Sequence, residues 1–502
     1  MILFSPAFAC CVLLALAASY VWACLASPLR QVPGPPSSLF TSWVLKWHEF
    51  RAGRTRYVHR LHLRYGPVVR IAPREVAFAS AEGVKEIYGA GGSGYDKTEF
   101  YDLFQVYGRR TMFSTLNKQD HAKRKRVLAD RYANTNVLRS ASMDGIKERS
   151  KRFVDRCSKS IGGSIDLFVR SHFSPFLARI FLNSSQVFMI MLLTVSVIIS
   201  STPMGPTRFR TRKTRRSCGK SLSTIAFKVH RLLSYYNPGL HAIVKNILAL
   251  FSKPRETPLA DNLVLTATSK SDPLEFTLLS RMQDKNYDLE QLDMAAECTD
   301  HMAAGIDTTG DALCFLMWEI SQPRSLHVQQ RLQEEIQSTT PDTPFDKLPY
   351  LDAAVMEGLR CFPAIPMSLP RYVPPGGRTI DGYYIPGGTI VSAQAYSTHR
   401  IDRRVFPEPE RFNPDRWLAE DGGDLDRKRL FFAFASGGRG CIGKHLALAE
   451  MKTLLIDVYS RYSTRPDESM TDGDMEMSDQ LISSQPRGQK CWMKLVPFKE
   501  PS

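Results

Sequence analysis

For a chain of 502 residues, ten cysteines are few, and they form no close-spaced ladder, which excludes a disulfide-stapled scaffold. Glycine and proline stand at 31 each with no low-complexity tract, so a collagen-like or disordered chain is excluded as well. Repeated long apolar runs are missing, and with them a multi-span membrane protein. At 43% apolar and 23% charged residues the composition suits a globular body with a large core. The most informative absence is of acid. From Leu167 to Arg255 there is no Asp or Glu, while fourteen Lys or Arg fall in the same stretch. That one segment supplies nearly all of the formal net charge of +16. The basic balance therefore does not mark a nucleic-acid-binding surface over the rest of the chain.

One apolar stretch does stand out. Met1–Ala26 carries no charged residue and supplies the ~20 apolar residues that a bilayer-spanning helix needs. Arg30 and the cluster Val32-Pro33-Gly34-Pro35-Pro36 follow, and a helix cannot continue through those prolines. The reading is a membrane anchor over 1–26, a Pro-rich linker over 27–36 and one large domain over 37–502. A cleaved signal peptide is the other reading of the leader, and the lack of a basic segment before the apolar run weighs against it. Arg30 behind the span, with no charge ahead of it, favours a cytosol-facing body. Periodicity predicts helices over Arg56–Tyr65, Asp120–Asp130, Leu289–Ser321, Ser325–Ser338, Leu351–Cys361 and Lys444–Arg461. Short strands are expected at Val68–Ile71 and Glu75–Ala79, and a turn-rich, β-like stretch over Pro370–Val391. The fold class that follows is mainly α with a small β-rich lobe.

The strongest local pattern is Phe434-Ala-Ser-Gly437-Gly-Arg439-Gly-Cys441-Ile-Gly443, running straight into a predicted helix. Glycines let the backbone turn tightly and approach a flat ligand. A cysteine at a helix start has its thiolate stabilised by backbone N–H groups and the positive helix end. Such a thiolate is a good axial ligand for haem iron, and its electron donation favours O–O cleavage. Phe434, Arg439, Cys441 and Gly443 hold their places together, and the segment resembles the cysteine loop of the cytochrome P450 haem-thiolate proteins. Glu357-Gly-Leu-Arg360 is similar to that family's Glu-x-x-Arg helix, and Phe406–Trp417 to the aromatic–Pro–Arg segment after it. The resemblance implies the cytochrome P450 fold, and an ion-pair triad in which Arg411 joins Glu357 and Arg360. It also implies haem b with an axial thiolate from Cys441, the metal ligand.

Within the long apolar helix, Ala304-Gly305-Ile306-Asp307-Thr308-Thr309 resembles the family's oxygen-activating pattern. Gly305 removes a side chain where a ligand must approach. Asp307 and Thr308 are the expected catalytic pair, a hydroxyl and a carboxylate that hold and relay protons at a dry site. Haem propionates need cations: Arg439 is one, Arg371 matches another family position, and His121 with Lys125 are aligned to the family's usual Trp and Arg. Arg124 and Arg126 flank Lys125 and are the alternatives at that position. Basic residues around the loop (Lys123, Arg124, Arg403, Arg404, Arg427, Lys428, Arg429 and Lys444) suit an acidic electron donor. By resemblance the donor is a membrane-bound, NADPH-dependent flavoprotein reductase.

The resemblance lapses over 170–232. There Val187–Ile199 is apolar but too short to span a bilayer comfortably, and Arg208–Arg216 is a basic run. The basic run suits anionic lipid, and it lacks the aromatic interleaving of a nucleic-acid site. A shifted reading frame or intron-derived segment is the expectation for these residues. The whole implies a monooxygenase of fungal microsomal type, single-pass in the endoplasmic reticulum membrane. It would insert one oxygen atom of O2 into an apolar small molecule, in secondary metabolite biosynthesis. The pocket is expected from Gly94–Thr115, Ala303–Thr309, Ala364–Leu369 and Gln480–Ser484. Two alternatives stay open: a haem-dependent isomerase or dehydratase using peroxide, and a catalytically impaired haem-binding membrane protein.

Overall fold

Gln291–Ile320 is a single helix of 30 residues, and the rest of the molecule is arranged around it. The computed structural model describes residues 6–89, 94–158, 163–168, 228–249, 264–266, 268–269, 277–284, 287, 289–340 and 343–497. The C-terminal half of the central helix, Ala312–Ile320, is buried on all sides, as its uninterrupted apolar sequence requires. It shares one core with the helices Leu326–Gln337, Pro349–Cys361 and Lys444–Tyr459 through Leu313, Leu316, Leu332, Leu351, Val355 and Leu454. Gly358 lets two of these helices touch. A Cβ there would lie 2.7 Å from a methyl carbon of Leu316.

The β-rich lobe is built on a five-stranded sheet. Its strands are β1 (Val68–Ala72), β2 (Glu75–Phe78), β3 (Asp96–Lys97), β4 (Arg371–Tyr372) and β5 (Ile390–Ala393), in the order β1-β2-β5-β4-β3. β2 and β5 run parallel, and the other pairs are antiparallel. The register sets Lys97 opposite Arg371, so two cations stand side by side at the edge nearest the cysteine loop. Sequence patterning found β1, β2 and the hairpin-rich 370–391 stretch. It missed a three-stranded sheet of Ser164–Asp166, Trp492–Pro497 and Tyr462–Pro466, whose strands lie far apart in the chain.

Residues Pro6–Leu25 form a helix whose described side chains are almost all exposed. Among the described residues no helix is long and apolar enough to cross a membrane; in this one, side chains are described for Phe8 and from Cys10 on. The stretch after it is not a free tether. Leu29 and Val32 are buried, and the Arg70 guanidinium donates to the Leu29 carbonyl at 2.8 Å and the Val32 carbonyl at 2.9 Å. The unusual 170–232 segment lies outside the described residues except for its last five positions. There Leu232 is fully buried and Lys228 donates to the Asp479 carbonyl at 2.8 Å.

Three histidines are held neutral by burial. His59 and His62 are pushed down to about 4, with Arg400 adding to the effect at His59, and His399 to about 3. Unfolding lets each take up a proton below about 6.5. Their contribution to stability is therefore complete above that pH and is lost as the pH falls from 6.5 toward 4, because the unfolded state binds more protons there. The thermal midpoint should drop across that window. A midpoint independent of pH between 6.5 and 4.5 would contradict the burial assignment.

Candidate active site

The cysteine loop closes through its own backbone. The Cys441 N–H donates to the Phe434 carbonyl at 2.8 Å and the Gly440 N–H to the Gly437 carbonyl at 2.9 Å. Gly437 sits at φ 65°, where a side chain would be strained. Gly443 precedes the first residue of helix Lys444–Tyr459, so the sulfur is presented at a helix start. Burial pushes the Cys441 thiol up, opposed by the Gly443 N–H and by the charges of Lys125 and Lys444. Cys441 is nonetheless exposed, unlike Cys157, Cys298, Cys314, Cys361 and Cys491, which are all buried. Lys125, expected to face a propionate, instead donates to the loop carbonyls of Gly438 (3.0 Å) and Gly440 (2.8 Å), clamping the loop to helix Lys118–Leu128.

The central helix carries an open strip between two buried stretches. Ala303, Ala304 and Asp307 are exposed, and Gly305, Ile306 and Thr308 are half-buried, although Met294–Cys298 and Ala312–Ile320 on either side are buried. Thr308 donates its hydroxyl to the Ala304 carbonyl at 2.6 Å, an i−4 bond of the kind that slightly loosens a helix. The expected Asp307–Thr308 pair thus lies on the open strip beside Gly305.

Lys97, His121, Arg371 and Arg439 form one basic cluster near the loop. Arg371 is buried and donates to the Tyr101 hydroxyl at 2.7 Å. Arg439 donates to Asp96 at 3.3 Å, while its buried Nε and Nη1 have no hydrogen-bond partner. Burial and the charge of Arg371 bring Arg439 down to about 10. Lys97 is also buried, over the rings of Tyr101 and Phe113. Burial, with Arg371 and Arg439, holds it well below the usual lysine range. His121 is kept neutral, at about 2, by burial and by the charges of Lys97, Arg439, Lys125 and Arg371. Buried cations with orphaned donors are costly unless an anion meets them. Two carboxylates on the rim of a flat ligand answer that need, and the exposed sulfur and the open helix strip supply the rest of a haem site. Lys97 belongs to this cluster, and sequence reasoning missed it because no local motif marks it; only the β3–β4 register brings it beside Arg371.

The ion-pair triad exists, with one member corrected. Glu357 and Arg360 are fully buried and joined by two hydrogen bonds, at 2.8 and 2.9 Å. The third member is Arg416, not Arg411. The Arg416 Nε donates to Glu357 at 2.9 Å, and the Trp417 Nε1 and the Asn413 N–H also donate to the same carboxylate. The Arg411 side chain is exposed and pairs with Glu408, and only its carbonyl accepts from Arg360. Burial alone would raise Glu357. The hydrogen bonds and charge of Arg360, with Arg416, outweigh it and hold the carboxyl below its usual range. His399 links this triad to the cysteine loop. Its Nδ1 meets the Arg360 carbonyl at 3.0 Å, and its Nε2 accepts from the Phe432 N–H at 2.7 Å. Accepting at Nε2 puts the proton of the neutral ring on Nδ1.

Several of the basic residues assigned to an electron donor are committed elsewhere. Arg124 reaches inward to Glu297 at 3.1 Å, and buried Arg427 pairs with Asp421. Lys428 and Arg429 pair with Asp424 and Asp426. Three of the expected pocket segments do meet: Phe100, Tyr101 and Leu103 pack with Ile482, Leu481 and Ile365, alongside Phe104, Phe113 and Tyr235. A cavity of about 340 Å³ adjoins this cluster through Phe100, Tyr235 and Leu481.

The family model described as Cytochrome P450 matches residues 33–492. The chain belongs to the cytochrome P450 family. Membership implies a haem-thiolate cofactor, a redox partner, O2 and a small-molecule substrate, and the enzyme is a monooxygenase. The chain is 27% identical to cytochrome P450 monooxygenase orf2 of Aspergillus niger, covering 97% of each chain. It is 26% identical to cytochrome P450 monooxygenase stcB of Emericella nidulans over 94% of this chain and 89% of the relative. Cytochrome P450 monooxygenase aflV of Aspergillus parasiticus is 26% identical over 93% and 92%.

Proposed function

We propose that this P450 holds haem b on Cys441, takes electrons from an NADPH-dependent flavoprotein reductase, and oxygenates an apolar small molecule in fungal secondary metabolite biosynthesis. The observation that carries the reading is the exposed Cys441 sulfur at a helix start, held in a backbone-closed loop that also carries Arg439 with its buried, partnerless Nε and Nη1. When bound, the haem supplies the site at which dioxygen is reduced and its O–O bond cleaved. The protein's part is to orient and to move protons. Arg371, Arg439, Lys97 and His121 would hold the propionates, and Lys125 keeps the loop closed. Asp307 would relay protons toward Thr308, whose hydroxyl, held on the Ala304 carbonyl, would be the proton-holding group next to Gly305. The aromatic cluster around Phe100 and Ile482 keeps water off the substrate and favours an apolar one.

We place the enzyme in the endoplasmic reticulum membrane, anchored once by the uncharged N-terminal helix with its body in the cytosol. Arg30 immediately behind that helix supports the orientation. Alkaline extraction that strips the full chain from microsomes would refute the anchor. The reaction is tested by turnover of a microsomal preparation with reductase, NADPH and isotopically labelled O2, which should put one labelled atom into product. Asp307→Asn and Thr308→Ala should each lower product formation about 10²-fold or more with haem content unchanged. Turnover supported by peroxide without NADPH, and indifferent to both substitutions, would favour the isomerase reading instead.

A further inference from the structure

We propose that Tyr132 is an electron-donating residue beside the cysteine loop, with His301 and Glu297 arranged to take up its proton. When a peroxide oxidises the haem and no substrate is at hand, the Tyr132 phenol gives up one electron and so spares the porphyrin. The inference rests on the haem-thiolate reading and goes beyond it, to residues that the oxygenation reaction does not use.

Tyr132 ends the turn Ala129–Tyr132 that follows helix Lys118–Leu128, and it is buried. Ile442 and Leu446, from the loop and the helix after it, pack against the apolar cluster that holds it. A Cβ built on Gly443 would lie 4.0 Å from the Cys441 sulfur and 4.0 Å from Cε1 of Tyr132, so ring and sulfur border the same small space. The Tyr132 hydroxyl is bonded to Nδ1 of His301 on the central helix, and Nε2 of His301 lies 3.2 Å from a carboxylate oxygen of Glu297. His301 and Glu297 are buried as well.

The protons in this chain can be assigned. Glu297 also accepts from the Met112 N–H at 2.9 Å and from Arg124 at 3.1 Å. Burial alone would raise Glu297, but His301, the Met112 N–H and Arg124 outweigh it and hold the carboxyl below its usual range. An ionised carboxylate only accepts, so Nε2 of His301 carries the ring proton, and Nδ1 of the neutral ring accepts from the phenol.

A structural pin would need less. A carbonyl satisfies a buried phenol, as Leu369 does for Tyr88 at 2.6 Å. Removing an electron from a phenol makes it a strong acid, so the proton must leave with the electron, and a carbonyl cannot keep it. In the proposed step one electron passes from Tyr132 to the oxidised haem and the phenol O–H bond breaks. The proton forms an N–H bond at Nδ1 of His301, and the imidazolium stands against the Glu297 carboxylate. The products are a neutral phenoxyl radical and a haem reduced by one electron. One electron from the enzyme's redox partner, with the proton returned by His301, restores the phenol.

The test mixes the haem-loaded, substrate-free full chain with peracetic acid, freezes it rapidly and reads the organic radical by electron paramagnetic resonance. Ring-deuterated tyrosine, incorporated in parallel, identifies the residue type that bears it. The wild type should show a tyrosine radical. Tyr132→Phe should lower its yield at least about tenfold, and so should His301→Gln, which accepts a hydrogen bond but cannot hold a proton. Both variants should lose the haem absorption band faster under peracid, and both should keep the reduced, carbon-monoxide-bound spectrum of the wild type. Tyr88→Phe should leave the radical as it was. A wild type without a tyrosine radical, a full signal in Tyr132→Phe or His301→Gln, or bleaching of Tyr132→Phe at the wild-type rate overturns the proposal alone. A chain that never shows the thiolate-type band overturns the haem-thiolate reading, and this inference with it.

Discussion

Cys441→Ala should abolish the thiolate-type absorption band of the reduced, carbon-monoxide-bound protein. Turnover should fall by more than the about 10–100-fold that loss of an outer-shell partner costs a metal site. The loop around the sulfur is built by backbone bonds, Cys441 N–H to the Phe434 carbonyl and Gly440 N–H to the Gly437 carbonyl, which an alanine leaves in place. The substitution thus removes the ligand and little of the fold. No other cysteine among the described residues of the main body can take over. Cys157, Cys298 and Cys361 are buried and pushed up to about 12, so they remain thiols, and Cys314 and Cys491 are buried as well. The spectrum of the variant, taken beside its far-ultraviolet circular dichroism, separates ligand loss from misfolding. Persistence of the band in the folded variant would falsify the assignment of the ligand, and with it the entire functional reading.

Arg416→Ala should destabilise the protein by about 3–5 kcal/mol, because it leaves the Glu357 carboxylate buried with one of its cations gone. Arg411→Ala should cost no more than about 1 kcal/mol, since that side chain is exposed and paired only with Glu408. Denaturant midpoints of the two variants, with haem content measured alongside, decide the matter. Equal costs, or the reverse order, would remove Arg416 from the triad. Because Arg360 also donates to the carbonyls of His399, Pro409 and Arg411, the network ties the segment before the cysteine loop to the helix core. Haem loss should therefore accompany the larger destabilisation. The acid side adds to this: Glu357 is held below its usual range, so its share of the stability is present above about pH 4.5 and disappears as the pH falls through the lowered value.

The choice between Arg411 and Arg416 shows where linear reading stops. Both arginines stand in one short segment, Phe406–Trp417, and nothing in their spacing says which turns inward. The Pro414–Trp417 turn, started by Asn413 accepting from the Asp415 N–H, carries Arg416 and Trp417 onto Glu357 together. His399 was equally hidden. It lies in no motif and acts by bridging the Arg360 carbonyl to the Phe432 N–H, two groups far apart in sequence. Alignment by sequence sets Lys125 at a haem propionate. Its bonds to Gly438 and Gly440 show that the loop carbonyls are what it holds.

The amino-acid order alone marked the long helices and the cysteine loop. A 3.6-residue apolar period runs through the central helix, and the glycine-rich cysteine loop sits against a helix start; both are local, set by backbone sterics and by which residues follow one another. The tertiary structure decided which charges face each other across the interior. Lys97 meets Arg371 through strand register, and Arg416 displaces Arg411 at Glu357. Electrostatic partners are chosen by distance and burial in three dimensions, and neither quantity is written in the spacing of residues along the chain.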